Sequence, residues 1–235
     1  IFSNSITPLL LREFSIFYDN KNSIEFKSTL NTSLLFFTGL SSFFCALIFF
    51  NVEIITEIIA GDSFNSSILS TKIMLLYPIL YVTNNILNTV LYSMGQTKLM
   101  KNILIIIGLL QLIFTIIFVA PTQYFGLNLG AIGFGISLII VTTLNHLMLL
   151  FYCTKFLKLN FIRAILQILR IILISLFLSF ITKYTISIFI ENKYFIFVIN
   201  GFIYSLITIT IFYIFPYYFG VKKSQLDNIL KTFKL

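Results

Sequence analysis

Charged residues vanish from the chain for long stretches. None of Asp, Glu, Lys or Arg occurs from Ser28 to Val52, from Ile73 to Thr97, from Asn102 to Thr154 or from Tyr194 to Val221. A charge at the bilayer centre costs at least about 2.5–3.5 kcal/mol on insertion scales, and about 20 helical residues cross the hydrocarbon. The first, second and fourth stretches therefore predict one span each. The third predicts two, divided at the Pro121 to Gly130 turn. A further span runs from about Ala164 to Phe189, with Arg170 near one end and Lys183 near the other. The expected fold is all-α: a polytopic transmembrane helical bundle with six full spans at 29–52, 66–92, 102–120, 129–153, 164–189 and 195–219. A partial span over residues 1–12, ending near Arg12, precedes them. The bundle occupies residues 1–219, and residues 220–235 form a tail. In that tail Leu226, Ile229, Leu230 and Phe233 recur at helical spacing among lysines, the pattern of a short amphipathic helix in the membrane interface.

Composition agrees. Of 235 residues, 58% are hydrophobic and only 10% charged, against roughly a quarter charged in soluble domains. The mean hydropathy of +1.00 and the 28 Phe exceed what one buried core can absorb, so lipid must solvate the surplus. The net charge of +8 would suggest nucleic acid in a soluble chain. Here the basic residues lie between apolar runs, which points to anionic lipid headgroups and membrane topology instead. Arg12, Lys21, Lys27, Lys98, Lys101, Lys155, Lys158, Arg163 and the tail lysines 222, 223, 231 and 234 all fall on one side of the expected spans. By the positive-inside rule that side, with the C-terminus, is cytoplasmic. Cys45 and Cys153 lie toward opposite leaflets and are expected not to pair. The opening IFSNSITPLLLREF has no signal-peptide pattern and reads as a start partway through a longer protein.

Motifs for covalent or nucleotide chemistry are missing from the sequence: it has no phosphate loop, HExxH helix, Cys-x-x-Cys pair, GxSxG elbow or EF-hand loop. No catalytic residue, metal or cofactor is expected. The single histidine, His146, lies within a span, where a helix-to-helix hydrogen bond is a commoner role than a proton relay.

Two constellations carry the candidate chemistry. Tyr77, Tyr81, Asn84, Asn85, Asn88 and Tyr92 recur at three- and four-residue intervals, a polar and aromatic stripe on a helix that Pro78 should kink. Asparagine amides are costly in lipid unless paired, so the stripe must face protein or water. One reading is a substrate-cavity face, with Tyr rings stacking on sugars and Asn bonding hydroxyls; the other is interhelical packing. Arg163, Gln167 and Arg170 share a face at i, i+4 and i+7, where a guanidinium pair could hold a lipid diphosphate or snorkel to ordinary anionic lipid. Small residues four apart, at Gly126 and Gly130, Ala131 and Gly135, and Gly133 and Ser137, predict close helix packing. The first span carries Ser3, Asn4, Ser5, Thr7 and Pro8, polar enough either to line a cavity or to be a frayed end.

The order of these features has a parallel. The segments IITEIIAGDSFNSSILSTKIMLLYPI, LYSMGQTKLMKN and FGLNLGAIGFG, separated by spans, resemble the C-terminal part of polysaccharide and O-antigen flippases of the multidrug/oligosaccharidyl-lipid/polysaccharide exporter superfamily. Gly61 and Phe64, Gly95 followed by Lys98, and the Gly126, Gly130, Ala131, Gly133 run carry the likeness. The resemblance implies the C-terminal bundle of a MATE-like transporter in a bacterial cytoplasmic (inner) membrane. It implies flipping of an undecaprenyl-diphosphate-linked oligosaccharide (an O-antigen, capsule or exopolysaccharide unit) by alternating access. The implied partners are the lipid-linked oligosaccharide, membrane lipids and other polysaccharide-assembly proteins. Three alternatives stand beside it: a cation-coupled multidrug exporter, a membrane glycosyl-polymerase or ligase, and a non-transporting scaffold.

Overall fold

The computed structural model describes residues 2–220, all in helices, turns and short connections. The tail from 221 to 235, with its expected interfacial helix, lies outside the described residues. Among the described residues eight α-helices follow one another: α1 (Phe2–Asp19), α2 (Ser23–Ala60), α3 (Ile68–Met74), α4 (Tyr77–Ser93), α5 (Thr97–Val119), α6 (Gly130–Leu157), α7 (Phe161–Phe189) and α8 (Lys193–Ile214). Among the described residues six candidate spans are long and apolar enough to cross a membrane, with α3 and α4 counted as one. This is the multi-pass helical architecture the charge pattern predicts.

Several boundaries differ from those expectations. The first helix does not end near Arg12 but runs to Asp19. The second does not stop at Val52. It extends over 38 residues, about 57 Å at 1.5 Å per residue, well beyond an about 30 Å hydrocarbon layer. Glu53 marks where lipid-compatible sequence ends, not where the helix ends, because intrahelical hydrogen bonds persist in water. Asn22 caps the start by accepting from the Glu25 N–H, and Gly61 stops the far end with φ of 77°. The 66–92 span is broken rather than kinked. Leu75 and Leu76 form a turn, and Pro78 sits in the first turn of α4, where its missing N–H costs nothing. The last span ends at Ile214, before a 3-10 turn over Pro216–Phe219.

Alternating helices put Arg12, Lys21, Lys27, Lys98, Lys101, Lys155, Lys158 and Arg163 at one end, that of the α1–α2, α4–α5 and α6–α7 turns. At the acidic end, Lys72 pairs with Glu53 at 3.1 Å and Lys193 with Glu57 at 2.6 Å. Helix α2 is central, touching α1, α3, α4, α7 and α8. Helix α4 packs against α1 and α6, α6 against α5, and α7 against α8, with a smaller contact between α6 and α7. A buried apolar cluster joins Phe14, Phe26, Leu34, Leu87, Val90, Leu91, Met100, Leu149 and Cys153 toward the basic end. By contrast α5 buries only Met100 and Ile103 and turns Leu109, Leu112 and Ile116 outward, a surface that lipid rather than water must cover. Cys45 and Cys153 are buried and free.

Small residues set the close approaches. A Cβ on Gly126 would overlap the Ala120 carbonyl, and one on Gly133 the Phe118 carbonyl. The hairpin between α5 and α6 thus closes backbone against backbone. Its Leu127 N–H donates to Ile117 O at 2.8 Å and its Leu129 N–H to Phe118 O at 3.0 Å. Gly39 lets the Phe219 ring lie on α2, and the Thr32 hydroxyl donates to the Gly220 carbonyl at 2.7 Å, pinning the end of α8 to the start of α2.

Candidate functional site

The helix period divides α4 into two faces. Ile79, Thr83, Ile86, Leu87, Val90 and Leu91 are buried against neighbouring helices. The opposite face carries Tyr77, Tyr81, Asn85, Asn88 and Tyr92. Tyr81 is 38% and Tyr92 48% exposed, with Tyr77, Asn85 and Asn88 half-buried between them. The Tyr77 and Tyr81 rings are 5.6 Å apart and tilted by 31°. Helix α4 therefore presents polar and aromatic groups outward, where α5 presents leucine and isoleucine.

Asn84 does not belong to that outward face. It is only 4% exposed and turns into the seam with α6. Its Nδ2 donates to the Thr142 carbonyl at 3.4 Å, which leaves Oδ1 as an acceptor 2.9 Å from His146 Nδ1. His146 Nδ1 therefore carries the proton, and the Thr83 hydroxyl stands 3.2 Å from the same nitrogen. His146 Nε2 is buried with no partner among the described residues. The lone intramembrane histidine makes the helix-to-helix hydrogen bond that its position suggested. Sequence spacing alone did not couple it to Asn84, 62 residues earlier.

A second polar seam escaped sequence reading. On α5 Gln111 Nε2 donates to the Thr115 hydroxyl at 3.0 Å and to the Ser137 hydroxyl of α6 at 3.3 Å. Gln111 to Thr115 at i, i+4 was the available signal. Near the acidic end Lys183 Nζ donates to the Phe50 carbonyl, and the Ser179 hydroxyl donates to Ala46 O at 3.0 Å, tying α7 to α2. Asn200 of α8 is fully buried, with neither amide atom partnered among the described residues.

The arginine constellation stands apart from the stripe. Arg163 and Arg170 are exposed and Gln167 is half-buried at the start of α7, a helix packed on α2 and α8, whereas α4 packs on α1, α2 and α6. The two sets do not converge on one site. Tyr217 and Tyr218, from the turn after α8, complete the arginine recess instead. Among the described residues no group of three His, Cys, Asp or Glu is placed to hold a metal.

No protein-family model matches the chain, and neither a curated protein nor a solved structure is detectably similar to it.

Proposed function

We propose that the chain is a helical bundle of a lipid-linked oligosaccharide flippase, working by alternating access without covalent chemistry. The observation that carries this reading is the outward polar face of α4. An asparagine such as Asn88 facing acyl chains forfeits hydrogen bonds to water, so a face of this kind needs an aqueous cavity or a polar partner beside it. A cavity between two bundles meets that need. There, tyrosine rings stack on sugar rings and amides exchange hydrogen bonds with hydroxyls, while the isoprenoid tail stays in lipid. The order of Gly61, Gly95 and the Gly126 to Gly133 run, which resembles that of polysaccharide flippases, supports the same substrate class.

The test has two arms. Single cysteines at 81, 88 and 92, in a background with Cys45 and Cys153 replaced by Ala, should react in membranes with a membrane-impermeant maleimide. A cysteine at lipid-facing Leu112 should not. Cells lacking the gene should accumulate undecaprenyl-diphosphate-linked sugar on the cytoplasmic leaflet. Stripe cysteines as inert as the one at 112, or undiminished delivery of flipped sugar without the gene, would overturn the proposal.

A further inference from the structure

The basic end holds a recess of ≈ 470 Å³ lined by Arg163, Leu166, Gln167, Arg170, Tyr217 and Tyr218. Arg163 and Arg170 lie seven residues apart, about 10 Å along the axis, on one side of α7 with Gln167 between them. The Arg170 guanidinium is held 4.1 Å above the Tyr218 ring, which fixes it beside the recess instead of leaving it free to snorkel. Neither guanidinium meets a carboxylate among the described residues. The two ion pairs there, Lys72 with Glu53 and Lys193 with Glu57, lie at the acidic end. Two positive charges, a side-chain amide and two phenols thus converge with no anion among the described residues to balance them. Guanidinium forks match phosphate oxygens in geometry as well as charge.

The surroundings identify the kind of phosphate. Leu166 lines the recess itself, and Ile162, Leu169 and Leu173 stand exposed on the adjoining surface of α7 at 67%, 47% and 63%. A free anion would gain nothing from that leucine strip, whereas an amphiphile lays an acyl chain along it. We infer that this recess is a resident binding site for an anionic glycerophospholipid. Its phosphate lies across Arg163 and Arg170, and one acyl chain lies along Leu166, Leu169 and Leu173. The recess is built from α7 and the turn after α8 and shares no residue with the outward face of α4. It stands whether or not the chain moves oligosaccharide.

The full chain is purified in mild detergent and delipidated, then titrated in native mass spectrometry with phosphatidylglycerol, phosphatidylcholine or inorganic phosphate. One phosphatidylglycerol per chain should be retained in preference to phosphatidylcholine, and millimolar inorganic phosphate should not displace it. Arg163→Gln with Arg170→Gln should weaken retention on the order of tenfold or more, the loss of a charge-assisted hydrogen bond. Tyr218→Leu, which keeps both charges but removes the brace, should weaken it a few-fold. Helical circular dichroism and a single elution peak establish that each variant is folded; should the double variant fail, Arg163→Gln alone decides. Equal retention of the two lipids, displacement by inorganic phosphate, or unchanged retention in the folded variants would each overturn the inference.

Discussion

Asn84 Oδ1 and His146 Nδ1 stand 2.9 Å apart in the buried seam between α4 and α6, a pairing across 62 residues of sequence. Both side chains are at least nine-tenths buried, so each satisfies a polar group that the other would otherwise leave stranded in an apolar setting. The pair holds the edge of the stripe against α6, while Asn88, one turn further along α4, stays on the outward side.

Breaking the pair from one side should cost more than removing it whole. His146→Leu strands the Asn84 carbonyl and should lower stability by about 1–3 kcal/mol. In the Asn84→Leu, His146→Leu double variant part of that loss should return. A double-mutant cycle in detergent should give a coupling of about 0.6 kcal/mol, up to about 1.7, the range for intramembrane hydrogen bonds. Additive losses would show that the two side chains do not interact.

The outward face should behave oppositely. Asn88→Leu and Tyr92→Leu should shift unfolding by no more than about 0.5 kcal/mol, as for surface positions. Under the proposed flippase function, delivery of lipid-linked sugar to the outer leaflet should fall on the order of tenfold, the equivalent of one lost hydrogen bond to substrate. A destabilised but fully active Asn88→Leu variant would make this residue a packing element.

Three glycines separate close approach from helix propensity. Gly126→Ala and Gly133→Ala drive a methyl into carbonyl oxygens that cannot swing aside, and should cost about 1–3 kcal/mol. Gly108 on α5 has no atom within 4 Å of where its Cβ would lie, so Gly108→Ala should stabilise by up to about 1 kcal/mol. Midpoints of denaturant unfolding in detergent read both signs.

Asn200 offers a stabilising change. Its amide is buried with neither atom partnered among the described residues. Replacing it with leucine, of similar size, should therefore raise stability by about 1 kcal/mol, the penalty of an unsatisfied polar group being removed. A loss on Asn200→Leu, measured by thermal unfolding, would show that the amide is satisfied in the membrane.

The sequence by itself determined the helical class, the number of spans, their rough placement and the clustering of cations at one end. Each depends only on local quantities: the length of a charge-free run, the cost of a charge in hydrocarbon, and the side on which a turn falls. It also showed that α4 carries a polar stripe and that Arg163, Gln167 and Arg170 share a face, because helical periodicity is a property of one segment. What it could not decide is what each face meets. Asn84 and Asn88 are four residues apart and equally polar, yet one closes on His146 while the other faces outward, since the helices around α4 come from distant parts of the chain. Likewise Arg170 acquires its companion only when the turn after α8 brings up Tyr218, 48 positions later in the sequence. The break at Leu75 and Leu76 was not legible either: a proline either kinks a helix or starts a new one, and here Pro78, with no N–H to offer the Met74 carbonyl, stands in the first turn of α4.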